Sequence, residues 1–359
     1  MVEKKDGMNY APSAAKTEKV VADGEFNVAV VALDHGHIYG MSNGLQEAGA
    51  TLKYVYDPDP QKVAEYKESF PQVEVADSLE AVLADPEIQL VAAAAIPNRR
   101  SALGNRVMEA GKDYFTDKTG FTSLEQLEET KRVVAETKQK YWVYFSERLH
   151  VEGAVYADQI IKSGRIGDVI QVTGFGPHRL DKEKRPDWFF DREQYGGILT
   201  DIGSHQIEQF LHFTGNEEAQ VVHSQIANYA NADTPDLDDY GDAVVVGENG
   251  ASFFFKVHWF TPDGLSTWGD GRTFITGTKG SIEIRKYLDL ARDEQGDHVY
   301  VVDQEGEHHY AVNGEVGFPF FGQMILDCIN RTDKAMTQEH IFKAQELCLQ
   351  AQAQANKIH

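Results

Sequence analysis

Phe26-Asn-Val-Ala-Val-Val-Ala-Leu33, then Asp34-His-Gly-His-Ile-Tyr-Gly40, then Thr51-Leu-Lys-Tyr-Val-Tyr-Asp57 is the stretch whose reading decides the fold. The first run is apolar and of buried-strand length. The loop behind it, rich in His, Gly and Asp, opens a helical pattern from about Ile38 to Ala48. The third run is a second strand, ended by Pro58 and Pro60. Strand, helix and strand in this order form a parallel crossover unit. The rhythm continues with a helix to Phe70, a short strand at Val73–Val75, a helix from Ser78 to Ala84 and a strand from Ile88 to Ile96. Another helix closes at Gly111, and Asp113–Thr116 begins the next strand. Ser123, with Gln126 in the capping-box position, starts a helix to Lys138, and Tyr141–Phe145 is a further strand. Nearly all-apolar strands alternating with helices predict a Rossmann-type, doubly wound parallel sheet covered on both faces.

In such a sheet the turn after the first strand holds a dinucleotide pyrophosphate on a helix N-terminus. The glycines of a G-x-G-x-x-G fingerprint would fall on Ala32, Asp34 and His37, so all three are missing. Gly36 and Gly40 keep the loop glycine-rich, and His35 and His37 could donate to phosphate. Asp34 would repel phosphate unless it turns away to cap the helix. Asp57 ends the second strand, where an acidic residue binds the ribose 2′-hydroxyl, and it favours NAD over NADP because it repels a 2′-phosphate. An ordinary Asp-Pro turn is the other reading of Asp57. The fourth strand gives Ile96, Pro97 and Asn98 at its carboxyl end, and the fifth gives Asp117-Lys118-Thr119-Gly120. The expected cofactor contacts are Leu33, Asp34, His35, His37, Ile38, Asp57, Ile96, Pro97, Asn98 and Lys118.

From Ile166 the pattern changes to strands with few helices between them: Asp168–Phe175, Gln220–Ala230, and Asp242–Gly247 turning at Glu248-Asn249-Gly250 into Ala251–Phe260. Thr273–Thr276 and Ser281–Arg285 flank Gly277-Thr-Lys-Gly280, and Val299–Val302 pairs with His308–Val312 over Gly306. This predicts an open, mostly antiparallel sheet of about six to eight strands with helices on one face. The other face would need a partner, which suggests a homodimer or homotetramer through that sheet. The expected organisation is an N-terminal extension over 1–24, a dinucleotide-binding domain over 25–146, a substrate and oligomerisation domain over 147–335, and a C-terminal helix, 336–359, packing back on the first domain.

Tyr195-Gly-Gly-Ile-Leu-Thr-Asp201-Ile-Gly203-Ser-His205 opens a helical pattern that runs to Gly215. Asp201 and His205, four residues apart, would share one helix face. A carboxylate beside an imidazole is a proton-transfer unit near neutral pH. A capping Asp and a satisfied, half-buried His are the alternative. Gly203 between them would let a backbone or a flat ligand approach. Their spacing alone does not make a metal site, because no third ligand follows at a persuasive interval.

With 359 residues the chain can bury two cores. A formal charge of −23 argues against nucleic acid and anionic membrane as partners. Cys328 and Cys348 make no disulfide framework and fit reduced thiols in a cytoplasmic protein. Residues 1–24 mix charges of both signs and contain no apolar core of a signal peptide, so they read as a disordered or draped extension.

The order of these motifs resembles the Gfo/Idh/MocA family of NAD(P)-dependent oxidoreductases. Pro97-Asn98, Glu109-Ala-Gly-Lys112 and Asp117-Lys118-Thr119 are similar to its P-N … A-x-x-G-K … E-K-P run, with Asp and Thr replacing Glu and Pro around Lys118. Ser163-Gly-Arg-Ile-Gly-Asp-Val169 resembles the entry to the family's sheet. Gly196 to His205 resembles its G-G-x-x-x-D-x-G-x-H signature, and Gly277–Glu283 a recurrent turn. The resemblance implies hydride transfer between a sugar, polyol or cyclitol hydroxyl and NAD. His205 would then be the general base, Lys118 would stabilise the reacting oxygen, and Asp201 would orient His205 or a neighbouring hydroxyl. The roles of Lys118 and His205 are interchangeable at this level. Arg148, His178, Trp188 and Tyr195 would join Asp201 and His205 at the substrate, and losing the proline would loosen the turn that holds Lys118. A redox-neutral lyase or glycosidase using transient oxidation, and a nucleotide-sensing regulator, are the other functions the resemblance allows.

Overall fold

Residues 7–14 and 16–358 are described by a computed structural model, in which the chain divides into two compact units. The first takes the described residues up to Tyr144 together with Gly317–Ile341. Its six strands are β1 (Asn27–Val31), β2 (Thr51–Tyr56), β3 (Glu74–Val75), β4 (Ile88–Ala93), β5 (Asp113–Asp117) and β6 (Tyr141–Tyr144). They pair in parallel in the order β3-β2-β1-β4-β5-β6. Val28 to Val31 of β1 and Leu90 to Ala93 of β4 are buried, as both-face coverage requires. Strand order reverses between β1 and β4, so the crevice at their carboxyl ends is the ligand-binding switch point of such a sheet. The Leu124–Thr137 helix is capped by Ser123, which accepts the Gln126 N–H at 3.3 Å. Gln126 returns its side-chain oxygen to the Thr122 N–H at 2.9 Å, one residue before the position a capping box uses.

The helix after β1, α1 (His37–Glu47), has one face covered by the start of the chain. Residues 1–6 and 15 of the expected extension lie outside the described residues. Further along, the Pro12 carbonyl accepts from Asn43 at 3.4 Å, Ala14 N–H donates to the Glu47 carboxylate at 3.2 and 3.3 Å, and Val20 N–H donates to the Ala48 carbonyl at 2.9 Å. Ala11 is fully buried.

The second unit, Phe145–Val316 with Phe342–His359, holds one large sheet. Its strands are β7 (Val169–Pro177), β8 (Ala219–Ala227), β9 (Tyr240–Gly247), β10 (Ser252–His258), β11 (Arg272–Gly277), β12 (Ser281–Arg285), β13 (His298–Val302), β14 (Glu307–Ala311) and β15 (Asn356–Ile358). The order is β14-β13-β12-β11-β7-β10-β9-β8-β15, nine strands where six to eight are expected from the pattern. The extra one comes from the end of the chain. The last helix stops at Ala353, and β15 adds in parallel to β8. Strands β7 and β10 also pair in parallel, so the sheet is mixed. The Glu152–Lys162 and Gly203–Thr214 helices pack on it. Ile170, Val222 and Phe254 are 48, 59 and 36 % exposed. Return to the first unit is made by Gly317–Ile341, whereas Phe342–His359 groups with the second. Cys328 and Cys348 are buried and not joined in a disulfide. No helix among the described residues is long and apolar enough to cross a membrane.

Ala32, at the first fingerprint position, has φ +53°, the left-handed region that glycine adopts freely. Holding an L-residue there costs roughly 1–2 kcal/mol, and the added unfolded-state freedom of glycine offsets roughly 0.5–1. Ala32→Gly is therefore expected to raise stability by about 0.5–1 kcal/mol, read as a higher urea midpoint with an unchanged slope.

Candidate active site

Strand β5 ends on a wholly buried carboxylate, Asp117. Around it converge His37 Nδ1 at 2.9 Å, His35 Nδ1 at 3.1 Å and Arg100 Nη2 at 3.2 Å. Although burial works against it, the charges of His37, Arg100 and His35 hold this carboxyl well below its ordinary range. Arg100 is 1 % exposed and comes from the first turn of the Arg100–Glu109 helix. It also donates to the Ala95 carbonyl at 2.6 Å, to the Thr119 carbonyl at 3.0 Å and to the Lys118 carbonyl. Asp117 in turn accepts the Lys118 N–H at 2.8 Å. The Lys118–Thr119 peptide is cis. Thr119 thus stands where the resembling motif has proline, and the turn is held by the Arg100 fork. Lys118 itself is 6 % exposed.

His35 and His37, expected to face phosphate, direct Nδ1 to Asp117. His35, His37 and Asp117 each offer an atom that could ligate a metal, all lying within 4.8 Å of one another. The Asp117 charge is already offset by Arg100, so a hydrogen-bond network accounts for the cluster. Asp34 does not cap α1. It turns to Lys62, 2.5 Å away, and accepts the Ile96 N–H at 3.3 Å. The N-cap of α1, Gly36, therefore carries no side-chain cap, and the first turn holds no acidic residue, which suits an anion there. Asp57, 7 % exposed, orients the loop by accepting Leu33 N–H at 2.7 Å and Asp59 N–H at 2.9 Å. Ile38, Ile96 and Pro97 are buried. Asn98 Oδ1 is a buried oxygen with no hydrogen-bond partner, an acceptor waiting for a donor at the carboxyl end of β4. These groups fit a dinucleotide.

In the second unit the signature begins with Gly196 and Gly197 at φ +90° and +96°, conformations that L side chains rarely adopt. Asp201 ends the short Ile198–Asp201 helix, and His205 lies in the first turn of the Gly203–Thr214 helix. Ile202 between them keeps right-handed helical angles, φ −81° and ψ −36°. Asp201 is 6 % and His205 2 % exposed, and that helix starts without a side-chain cap. Gly203 does not face an open cleft. A Cβ there would lie 3.2 Å from the Phe255 ring, so its role is close packing of helix on sheet.

Beside His205, Gln206 donates to Glu147 at 2.7 Å, and Lys286 reaches the same carboxylate oxygen at 2.7 Å. The Lys286 and Glu147 side chains are 0 and 3 % exposed. Arg148 forms a buried pair with Glu208, at 2.8 and 2.9 Å from Nε. Tyr195, 1 % exposed, donates to the Asp236 carbonyl at 3.2 Å and accepts the Asp238 N–H at 2.9 Å, bracing that loop. His178 lies against Trp268 and Trp259, ring centroids 4.4 and 5.3 Å apart, and Trp188 is half-buried beside Phe189. Arg100, Glu147, Gln206 and Lys286 escape the sequence reading. Only Arg100 carries a hint, a cation at the start of a helix that leaves the switch-point edge.

Two family models match the chain. The oxidoreductase family with an NAD-binding Rossmann fold covers residues 26–145, and the GFO/IDH/MocA C-terminal domain covers 155–283. A protein from Erwinia carotovora atroseptica SCRI1043, assigned as an oxidoreductase, has a solved structure that is 50 % identical. It superposes with a TM-score of 0.90 over 93 % of this chain and 100 % of that one. Among curated proteins, a scyllo-inositol 2-dehydrogenase (NADP(+)) of Bacillus subtilis is 30 % identical over 49 % of this chain and 48 % of its own length. A D-xylose dehydrogenase of Paenarthrobacter nicotinovorans is 27 % identical over 40 % of this chain and 38 % of its own. The matched stretch thus spans less than half of either curated relative.

Two outcomes follow from the buried charges. Burial, aided by His37 and Lys118 and opposed by Asp117, lowers the pKa of His35 from its ordinary value of 6.5 to about 3. Between those values the unfolded chain holds the extra proton, so His35 contributes a loss of stability as pH falls below 6.5, by up to about 1.4 kcal/mol per pH unit. His35→Gln should flatten this slope in urea melts compared at pH 5 and pH 7. Lys286→Met strands the Glu147 charge and should cost about 3–5 kcal/mol, most of it recovered by adding Glu147→Leu.

Proposed function

The chain belongs to the GFO/IDH/MocA oxidoreductase family, and we propose that it is an NAD-dependent dehydrogenase that oxidises a hydroxyl of a sugar, polyol or cyclitol. The observation that carries this is the Lys118 turn. A buried lysine leaves the carboxyl edge of a parallel sheet, and its backbone is gripped by Arg100 and by Asp117. This supports a reading in which Lys118 faces the crevice at the carboxyl ends of the strands, beside the nicotinamide of a bound dinucleotide. NAD supplies the hydride acceptor when bound. Asp57 at the end of β2 favours it over NADP, because a carboxylate repels a 2′-phosphate.

In this reading the chain's own groups divide the proton work. His205 accepts the hydroxyl proton, for which an imidazole is suited near neutral pH. Lys118 donates a hydrogen bond to the same oxygen and stabilises its developing charge. Asp201 orients His205 or a neighbouring hydroxyl. Glu147, Lys286 and Gln206 keep the helix that carries His205 in place. The curated relatives' names support a carbohydrate-like substrate. The exposed face of the second unit's sheet, with Ile170, Val222 and Phe254, supports pairing of two or four copies.

The test is to denature the purified protein and identify any released nucleotide, then screen sugars, polyols and cyclitols with NAD for growth of the reduced-nicotinamide absorbance. Lys118→Ala and His205→Ala are each expected to lower kcat by about 10²–10⁴-fold with an unchanged melting temperature. Turnover equal to the parent's in both folded variants would remove the catalytic assignment.

A further inference from the structure

The Gly203–Thr214 helix meets the sheet of the second unit through two kinds of contact. At Phe210 the contact is apolar, the ring stacked on Phe253 with centroids 4.9 Å apart. Around His205 it is polar. Gln206 and Gln209, three residues apart on one side of the helix, are both buried. The Gln206 carboxamide lies over β7, where a Cβ at Gly174 would stand 2.3 Å from its Oε1 and a Cβ at Gly176 3.1 Å from its Nε2. Two residues apart in a strand, these glycines open on one face and leave a slot that the carboxamide fills. From the slot Gln206 donates to Glu147 Oε2 at 2.7 Å, the oxygen that also takes Lys286. Gln209 reaches the neighbouring strand. Its Nε2 donates to the His205 carbonyl at 2.9 Å, and its Oε1 accepts from Thr273 Oγ1 at 3.3 Å. Thr273 is the residue of β11 that pairs with Gly174, so the two glutamines sit side by side.

Apolar residues at 206 and 209 would pack there without desolvating two carboxamides. Glu147 Oε1 is buried with no hydrogen-bond partner, an arrangement that costs stability. What the polar seam adds is direction. Hydrogen bonds weaken steeply off axis and so fix the rotation of a helix about its own axis, whereas apolar contact is non-directional. We propose that Gln206, seated in the slot of Gly174 and Gly176, is a positioning residue that sets the direction of the His205 imidazole, with Gln209 fixing the backbone of the same residue. This inference rests on the reading of His205 as the base. A proton acceptor must come within hydrogen-bond reach of the hydroxyl, so a small rotation of this first turn lowers the rate of the chemical step and leaves nucleotide affinity as it was.

The test reads hydride transfer in a single turnover of the full chain, with NAD and the alcohol that the parent oxidises fastest in the screen, D-xylose and scyllo-inositol included. Gln206→Met keeps the volume and removes the hydrogen bond. It should slow hydride transfer about tenfold or more, with NAD affinity unchanged and the melting temperature lowered by no more than about 4 °C. Gly174→Ala, which fills the slot and leaves Gln206 in the chain, should slow it similarly. In a Gln206→Ala background the same Gly174→Ala should cost nothing further. Gln206→Glu alone sets two carboxylates against each other and should also be slow. Adding Glu147→Gln restores a donor to that pair, keeps one carboxylate for Lys286 and should recover most of the rate. Parent-like hydride transfer in folded Gln206→Met and Gly174→Ala would overturn the positioning role and leave His205 as the base. A fall in rate matched by an equal fall in NAD affinity would do the same. Parent-like turnover in His205→Ala, or a parent that oxidises none of the screened alcohols, would remove the base assignment and this inference with it.

Discussion

One buried negative charge organises the functional edge of the first unit. A carboxylate with no exposed surface is tolerated only where cations and donors surround it, and Asp117 has Arg100, His37, His35 and the Lys118 N–H. Satisfying it draws three chain segments together: the loop after β1, the helix that follows β4 and the turn after β5. Arg100 then spends its remaining donors on carbonyls of 95, 118 and 119. The position of Lys118 is thus a by-product of solving a desolvation problem. A neutral residue at 117 would remove the reason for all of these contacts at once.

The sheet of the first unit was readable because its strands are buried on both faces, and continuous apolar runs between helices have no other economical arrangement. The second sheet was readable in class but less so in detail. Asn356-Lys-Ile358 is too short and too polar to announce a strand, and it follows a helix with no breaker between them. Parallel pairing of β7 with β10 joins segments far apart in sequence, which local turn signals cannot reveal. Hairpins are visible because both partners and their turn are contiguous, as at Glu248-Asn249-Gly250.

Individual site residues divided along a similar line. Asp57, Lys118, Asp201 and His205 stand out because motif spacing marks them. Arg100, Glu147 and Lys286 do not, because a charged side chain in a sequence reads as surface until its partner is known. Asp34 shows the same effect in reverse. Its apparent conflict with phosphate disappears once Lys62, from the following helix, is seen to claim it. The missing fingerprint glycines posed a real question, and Ala32 answers part of it. The backbone keeps the glycine conformation without the glycine.

The division into units has a bearing on how the molecule is made. Neither unit is continuous in sequence, since Gly317–Ile341 belongs to the first and Phe342–His359 to the second. During synthesis the dinucleotide-type sheet can form early, yet the Pro319–Asn330 helix that packs on α1 emerges only after nearly the whole second sheet. Strand β8 waits still longer for β15, some 130 residues later in the chain. The second sheet therefore keeps β8 unpaired at its edge until residues 356–358 have been made, and such unpaired edges are where aggregation begins. This makes Asn356–Ile358 a late-acting clasp for the β8 edge of the second sheet.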